Sequence, residues 1–115
     1  MRYLCVQVQP GRAPDLDAAA LIIAFQRLVV RIDLVRSHSF DHGYDDGAYY
    51  NFVFGTERPR ELWRLIQDTI FLSPGFREEL AASAMAMCSS ESGWHKYSQL
   101  YHWDPDVPVV PLSVF

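Results

Sequence analysis

The side chains with the clearest chemical potential lie near the middle of the chain, in His38-Ser39-Phe40-Asp41-His42 followed by Asp45 and Asp46. Residues four apart share a face of a helix or a strand, and imidazole with carboxylate suits zinc or a similar ion. The competing reading is a polar turn with solvated carboxylates. That reading is preferred, because Asp41-His42-Gly43-Tyr44-Asp45-Asp46-Gly47 has the Gly and Asp content of a connection between strands, and no Cys or third His lies nearby in sequence. No metal or cofactor is therefore expected. His95 and His102 are seven apart, so on a regular strand they point to opposite faces and cannot form an acid-base pair unless a bulge intervenes. Cys88 stands beside Ser89 and Ser90, but neither a helix N-terminus nor a basic neighbour is in sequence reach to activate its thiol, so it reads as buried packing. No catalytic residue is assigned.

These residues are carried by elements that the sequence marks out. Leu4, Val6 and Val8 alternate with Tyr3, Cys5, Gln7 and Gln9, the period-two pattern of a strand with one greasy face. Pro10-Gly11 breaks it. Pro14-Asp15-Leu16-Asp17 then opens a helix expected to run to about Ile32, apolar around so much of its circumference that it should touch the sheet and something else, such as a second subunit. Leu34 to Phe40 is the next expected strand, with Asp41–Gly47 as its loop. Ala48 to Phe54 follows as a strand, with Tyr50, Phe52 and Phe54 on the face that should lie under the helices. Thr56 can cap a helix with Pro59 in its first turn, and Ser73-Pro74 announces a second short helix over Phe76 to Ala82.

The last third of the chain is the most informative. Ser83 to Ser90 leads through Glu91-Ser92-Gly93 into Trp94-His95-Lys96-Tyr97-Ser98-Gln99-Leu100-Tyr101-His102-Trp103, which stops at Asp104-Pro105. Gly93 permits the turn and Pro105 cannot extend a ladder, so this is a hairpin with an unusually aromatic second strand. Strict alternation would put either His95, Tyr97, Tyr101 and Trp103 or Trp94, Lys96, Leu100 and His102 on the helix-free face. The order β-α-β-β-α(α)-β-β predicts an α+β fold, a helix-backed antiparallel sheet of ferredoxin-like type (βαββαββ) with strand order 5-4-1-3-2. Cys5 and Cys88 would then lie on adjacent strands, and a disulfide between them would require that adjacency.

Composition bounds what such a domain can do. The 115 residues suffice for one domain, residues 1–115, without disulfides or a structural metal; half are hydrophobic and 21% charged. Ten basic residues against 14 acidic ones give a net charge of -4, and the basic residues are scattered, so nucleic acid is a poor partner and a basic protein a better one. The start of the chain is interrupted by glutamines before a signal-peptide core can form, and the longest apolar stretch, Ala18 to Phe25, is too short to span a membrane. A cytoplasmic location is expected, and the two thiols fit it. The tail, residues 106–115, is apolar beyond Asp106 and should pack on its own domain or on a neighbour.

The final hairpin, with Gly93-Trp94, Tyr97, Leu100, His102 and Asp104-Pro105, resembles a pattern at the end of small bacterial proteins, some of which are similar to immunity proteins that neutralise secreted toxins. The resemblance implies a non-enzymatic role, occluding a toxin by binding it, and carries over no catalytic residues. Two expectations follow. In the first, the chain is a protein-binding protein whose Trp94, Tyr97, Tyr101 and Trp103 anchor a basic partner such as a toxin nuclease, with Glu91, Asp104 and Asp106 as the polar rim. In the second, it is a ferredoxin-like small-ligand protein or cofactor-free enzyme, dimeric, with a pocket among Tyr3, Tyr49, Asn51 and His95 on the open sheet face.

Overall fold

The computed structural model describes residues 1–110, and these form five strands and three α-helices. Of the apolar tail, residues 111–115 lie outside the described residues. The strands are β1 (Arg2–Val8), β2 (Ser37–Tyr44), β3 (Ala48–Thr56), β4 (Ala84–Ser90) and β5 (Gly93–His102); the helices are α1 (Ala18–Gln26), α2 (Pro59–Ile66) and α3 (Arg77–Ser83). They form an α+β fold compatible with the ferredoxin-like class. The sheet order is β2-β3-β1-β4-β5, which from the other edge reads β5-β4-β1-β3-β2, and each neighbouring pair is antiparallel.

β1 sits in the middle, so both its edges are paired and its alternation decides the layering. Leu4, Val6 and Val8 are fully buried, as are Phe52 and Phe54 on β3 and Ala84, Ala86 and Cys88 on β4. All belong to one core with Leu21 and Phe25 of α1, Leu62, Trp63 and Ile66 of α2 and Leu80 of α3, so the helices cover one face. Its centre is an aromatic stack: the Phe25 and Phe52 rings are 4.1 Å apart and nearly parallel, and Phe40 meets Phe52 and Phe54 edge-on at 5.3 and 5.4 Å.

Several boundaries differ from the sequence expectation, each for a local reason. Pro14 precedes α1 rather than opening it, because the Asp17 carboxylate accepts from the Ala20 N–H at 3.0 Å and caps the helix there. The helix does not reach Ile32. It tightens into a 3-10 turn over Arg27–Val30, where the β-branched Val29 and Val30 disfavour further helix. Leu34 and Val35 do not begin a strand; both backbone N–H groups donate to the Arg31 carbonyl, at 2.9 and 2.8 Å, and both side chains are buried.

β2 is displaced accordingly to Ser37–Tyr44 and takes in Asp41, His42, Gly43 and Tyr44, which the sequence assigned to a loop. β3 pairs along its length with them, and the turn shrinks to Asp45-Asp46-Gly47 with left-handed backbone at Asp46 (φ 54°) and Gly47 (φ 131°). A polar segment can be a strand here because it forms the sheet's edge. Thr56 does not cap α2. Its hydroxyl accepts from the Arg58 N–H at 2.9 Å, one step ahead of Pro59 in the first turn. α2 continues as a π-helical turn over Gln67–Phe71, which brings Ile70 and Phe71 into the core.

The aromatic stack gives a direct expectation. Phe25→Ala should cost about 3–5 kcal/mol of unfolding free energy in urea titration, since the cavity falls between two fixed rings. Tyr44→Ala, at a largely solvated position, should stay within about 0.5 kcal/mol.

Candidate functional site

The face without helices is built from the odd-numbered residues of β1, and the strand registers order it into rows. Across the middle run Ser39, Val53, Cys5, Met87 and Gln99; beside them run Asp41, Asn51, Gln7, Met85 and His102. Toward the hairpin tip, Ser37 is opposite Gly55 and Gly55 opposite Tyr3; the Tyr3 N–H donates to Ser89 Oγ at 2.9 Å, and Ser89 is opposite Tyr97. A Cβ at Gly55 would meet the Ser37 hydroxyl, which would have to turn away to make room.

β5 does not alternate as a regular strand would. Its register shifts between Ala86 and Met87, where Gln99 is opposite Met87 and Tyr101 opposite Ala86, leaving Leu100 as an extra residue. Gln99 stabilises this bulge with its own amide: Nε2 donates to the Tyr101 carbonyl at 2.8 Å and to the Ala86 carbonyl at 3.2 Å. Leu100 and Tyr101 consequently both join the core side, Tyr101 packing edge-on against Phe71 and Trp63 at 4.8 and 6.5 Å. A second shift separates Ser90 opposite Gly93 from Ser89 opposite Tyr97, so Trp94, His95 and Lys96 stand outside the ladder and are exposed. Neither alternation set holds, because two bulges interrupt the period.

The expected partner-binding residues therefore divide. Trp94 is 42% exposed and Tyr97 56%, and Tyr3, 38% exposed, joins them through Ser89. Tyr101 is half-buried among helix residues, and Trp103 is half-buried with the Arg12 guanidinium 3.5 Å above its ring. The acidic rim is also split between the two ends of β5, which pair with Ser90 and Met85 and are therefore about 17 Å apart at strand rise. Glu91 lines a cleft of about 350 Å³ beside Arg2, Arg58 and Arg60. Asp104 is engaged in a turn, its carboxylate accepting from the Asp106 N–H at 2.9 Å, and Asp106 is exposed.

A groove of about 520 Å³ lies at the opposite end of the open face, where the sequence placed a pocket among Tyr3, Tyr49, Asn51 and His95. Tyr49 and Asn51 line it with Gln7, Gln9, Arg12, Asp45 and Asp46; Tyr3 and His95 are not among its walls. A chain of donors crosses it: Arg12 Nε donates to Gln9 Oε1 at 2.6 Å, Gln9 Nε2 to Gln7 Oε1 at 3.4 Å, and Gln7 Nε2 to Asn51 Oδ1 at 3.0 Å. The glutamines on the mixed face of β1 were the available signal. Arg12 was not legible, because it arrives by a turn beyond the Pro10 break.

The remaining candidates are placed apart. His38, opposite Phe54, and His42, opposite Tyr50, share the helix-side face of β2, while Asp41, opposite Asn51, is on the other. Among the described residues, no group of three or more His, Cys, Asp or Glu could hold a metal ion. Cys5 and Cys88 lie on the paired strands β1 and β4 and are both free thiols, buried on opposite faces of the sheet: Cys5 is opposite Met87 on the open face, and Cys88 is opposite Leu4 in the core. Adjacency of strands thus does not permit a disulfide. Burial pushes both thiols up to about 11, with the Asp41 carboxylate adding to the effect at Cys5 and Arg2 opposing it at Cys88. Neither is a thiolate at neutral pH.

No helix among the described residues is long and apolar enough to cross a membrane. No protein-family model, curated protein or solved structure significantly matches the chain.

The thiols set a pH dependence. Their folded-state values lie above the ordinary value of 9.0, so the folded state holds the protons longer than the unfolded one. Their contribution to stability is full below about pH 9 and is lost as pH rises toward about 11. Urea titrations across that window should show falling stability, less steep in Cys88→Ala, and neither thiol should react with a disulfide reagent at pH 7 until the chain is unfolded.

Proposed function

We propose that this chain is a non-enzymatic binding protein that engages a partner protein through the hairpin end of its helix-free face. The observation that carries the proposal is the exposure of Tyr3 and Tyr97, which flank Ser89 on the hydrogen-bonded strands β1, β4 and β5, together with exposed Trp94 near the tip of the same hairpin. Aromatic side chains bury much surface at little entropic cost and are the commonest interface anchors, and a rigid sheet behind them limits the ordering required on binding. Tyr101 packs on Phe71 and Trp63 and Trp103 lies under the Arg12 guanidinium, so Trp94 and Tyr97 are the more accessible of the anchors expected from sequence.

The fuller form of this reading takes the fold as ferredoxin-like with β5 appended and the role as immunity against a secreted toxin, acting in the cytoplasm. The net charge of -4 suits a basic partner and speeds encounter with it. Support comes from the resemblance of the final hairpin.

A second reading has its own observation. The groove between Arg12 and Asp45-Asp46, floored by Gln7 and Asn51, offers cationic, anionic and amide groups to a small polar ligand. Loss of function on Asn51→Ala with Trp94 and Tyr97 intact would favour it.

The test is co-expression with the product of the adjacent gene. The expected outcome is a toxic product, a complex with this chain and protection of the cell. Trp94→Ala and Tyr97→Ala should each weaken that complex by roughly 1–4 kcal/mol with unchanged melting, whereas Tyr101→Ala should lower stability through the loss of its contacts with Phe71 and Trp63. A harmless product, or a toxin that this chain neither binds nor neutralises, would overturn the immunity reading.

A further inference from the structure

The two edges of the sheet are finished differently. β5 is interrupted by two register shifts, and the chain returns along it, the Val110 N–H donating to the Gln99 carbonyl at 2.8 Å. β2, the other terminal strand, pairs on one side with β3 over its full length without a register shift. It has no Pro, no Lys and no Arg to guard its outer edge, and one carboxylate, Asp41. An unguarded regular edge is a template for another strand. The three most exposed large apolar side chains among the described residues are Tyr44, at the far end of β2, at 81%, and Val30 and Ile32, at 78% and 75%, on the segment that precedes the strand.

We propose that β2 pairs antiparallel with β2 of a second copy about a two-fold axis at Phe40, joining two sheets edge to edge. A two-fold axis normal to the sheet keeps both helix layers on one side, so residues facing each other must share a face, and the axis must pass through a residue. Centred on Phe40, the pairing sets Phe40 against Phe40, His38 against His42, and the Ser39 hydroxyl against the Asp41 carboxylate, twice each for the last two. Ring-on-ring and hydroxyl-to-carboxylate pairs are the favourable cross-strand combinations. Centred on Asp41 the two carboxylates would be directly opposed, and centred on His42 the ladder would shorten to Phe40–Tyr44 instead of Ser37–Gly43. The occupant is a second copy because the Phe40-centred register sets complementary side chains across the axis over the longest ladder that opposes no carboxylates. Both open faces then look the same way, leaving each Tyr3, Trp94 and Tyr97 group accessible at the far ends of the joined sheet. The inference does not depend on the partner-binding reading.

Sedimentation of the full chain over a concentration series tests it, together with Ser39→Lys and Ser39→Asp at an exposed position. The wild type should pass from 13.2 kDa to twice that mass. Ser39→Lys, placed opposite Asp41, should tighten the dimer about fivefold and Ser39→Asp should loosen it about fivefold. Melting curves at low concentration should coincide, and the β2 amides should gain protection from hydrogen exchange on dimerisation. A 13.2 kDa species alone at high concentration would overturn the proposal, as would a dimer that responds alike to both substitutions or leaves the β2 amides exchanging.

Discussion

The whole arrangement depends on β1 being paired on both edges while its side chains alternate strictly. With Leu4, Val6 and Val8 buried under three helices and β3 and β4 on either side, a slip of one residue would turn the apolar set to solvent and bring Tyr3, Cys5 and Gln7 into the core. That penalty holds the registers of the neighbouring strands, which in turn set every row on the open face. The Tyr3 group and the groove at the far end are both consequences of where the even residues of β1 had to go.

The departures from alternation lie at the periphery, where this penalty weakens. On β5 an extra residue is accommodated because Gln99 can satisfy two carbonyls with one amide, and the gain is that Leu100 and Tyr101 both contribute to the core. The same strand's other irregularity releases Trp94, His95 and Lys96 from the ladder and leaves Trp94 exposed to solvent. A single aromatic strand is thereby divided into structural and exposed parts.

The thiols show the same logic in chemical form. Direct neighbours of one another's strands, they are separated by the thickness of the sheet and held protonated by burial. They pack rather than react. The acidic residues are likewise shared out, Asp104 into a turn and Glu91 beside arginines, so net charge acts as a long-range field more than as a local rim.

The element order and the buried faces of β1 and β3 were legible in the sequence, because period-two alternation and Pro or Gly stops are local signals that a buried face makes unambiguous. So was the hairpin, through Gly93 and the Asp104-Pro105 stop. What the sequence could not decide was the reach of β2 to Tyr44, since a polar segment becomes an edge strand only when β3 offers it backbone partners. Nor could it decide which ring of β5 faces where, since one inserted residue inverts the parity of all that follow. The groove residue Arg12 and the opposed faces of Cys5 and Cys88 belong to the same class. They depend on strand pairing between residues far apart in the chain, which no local pattern encodes.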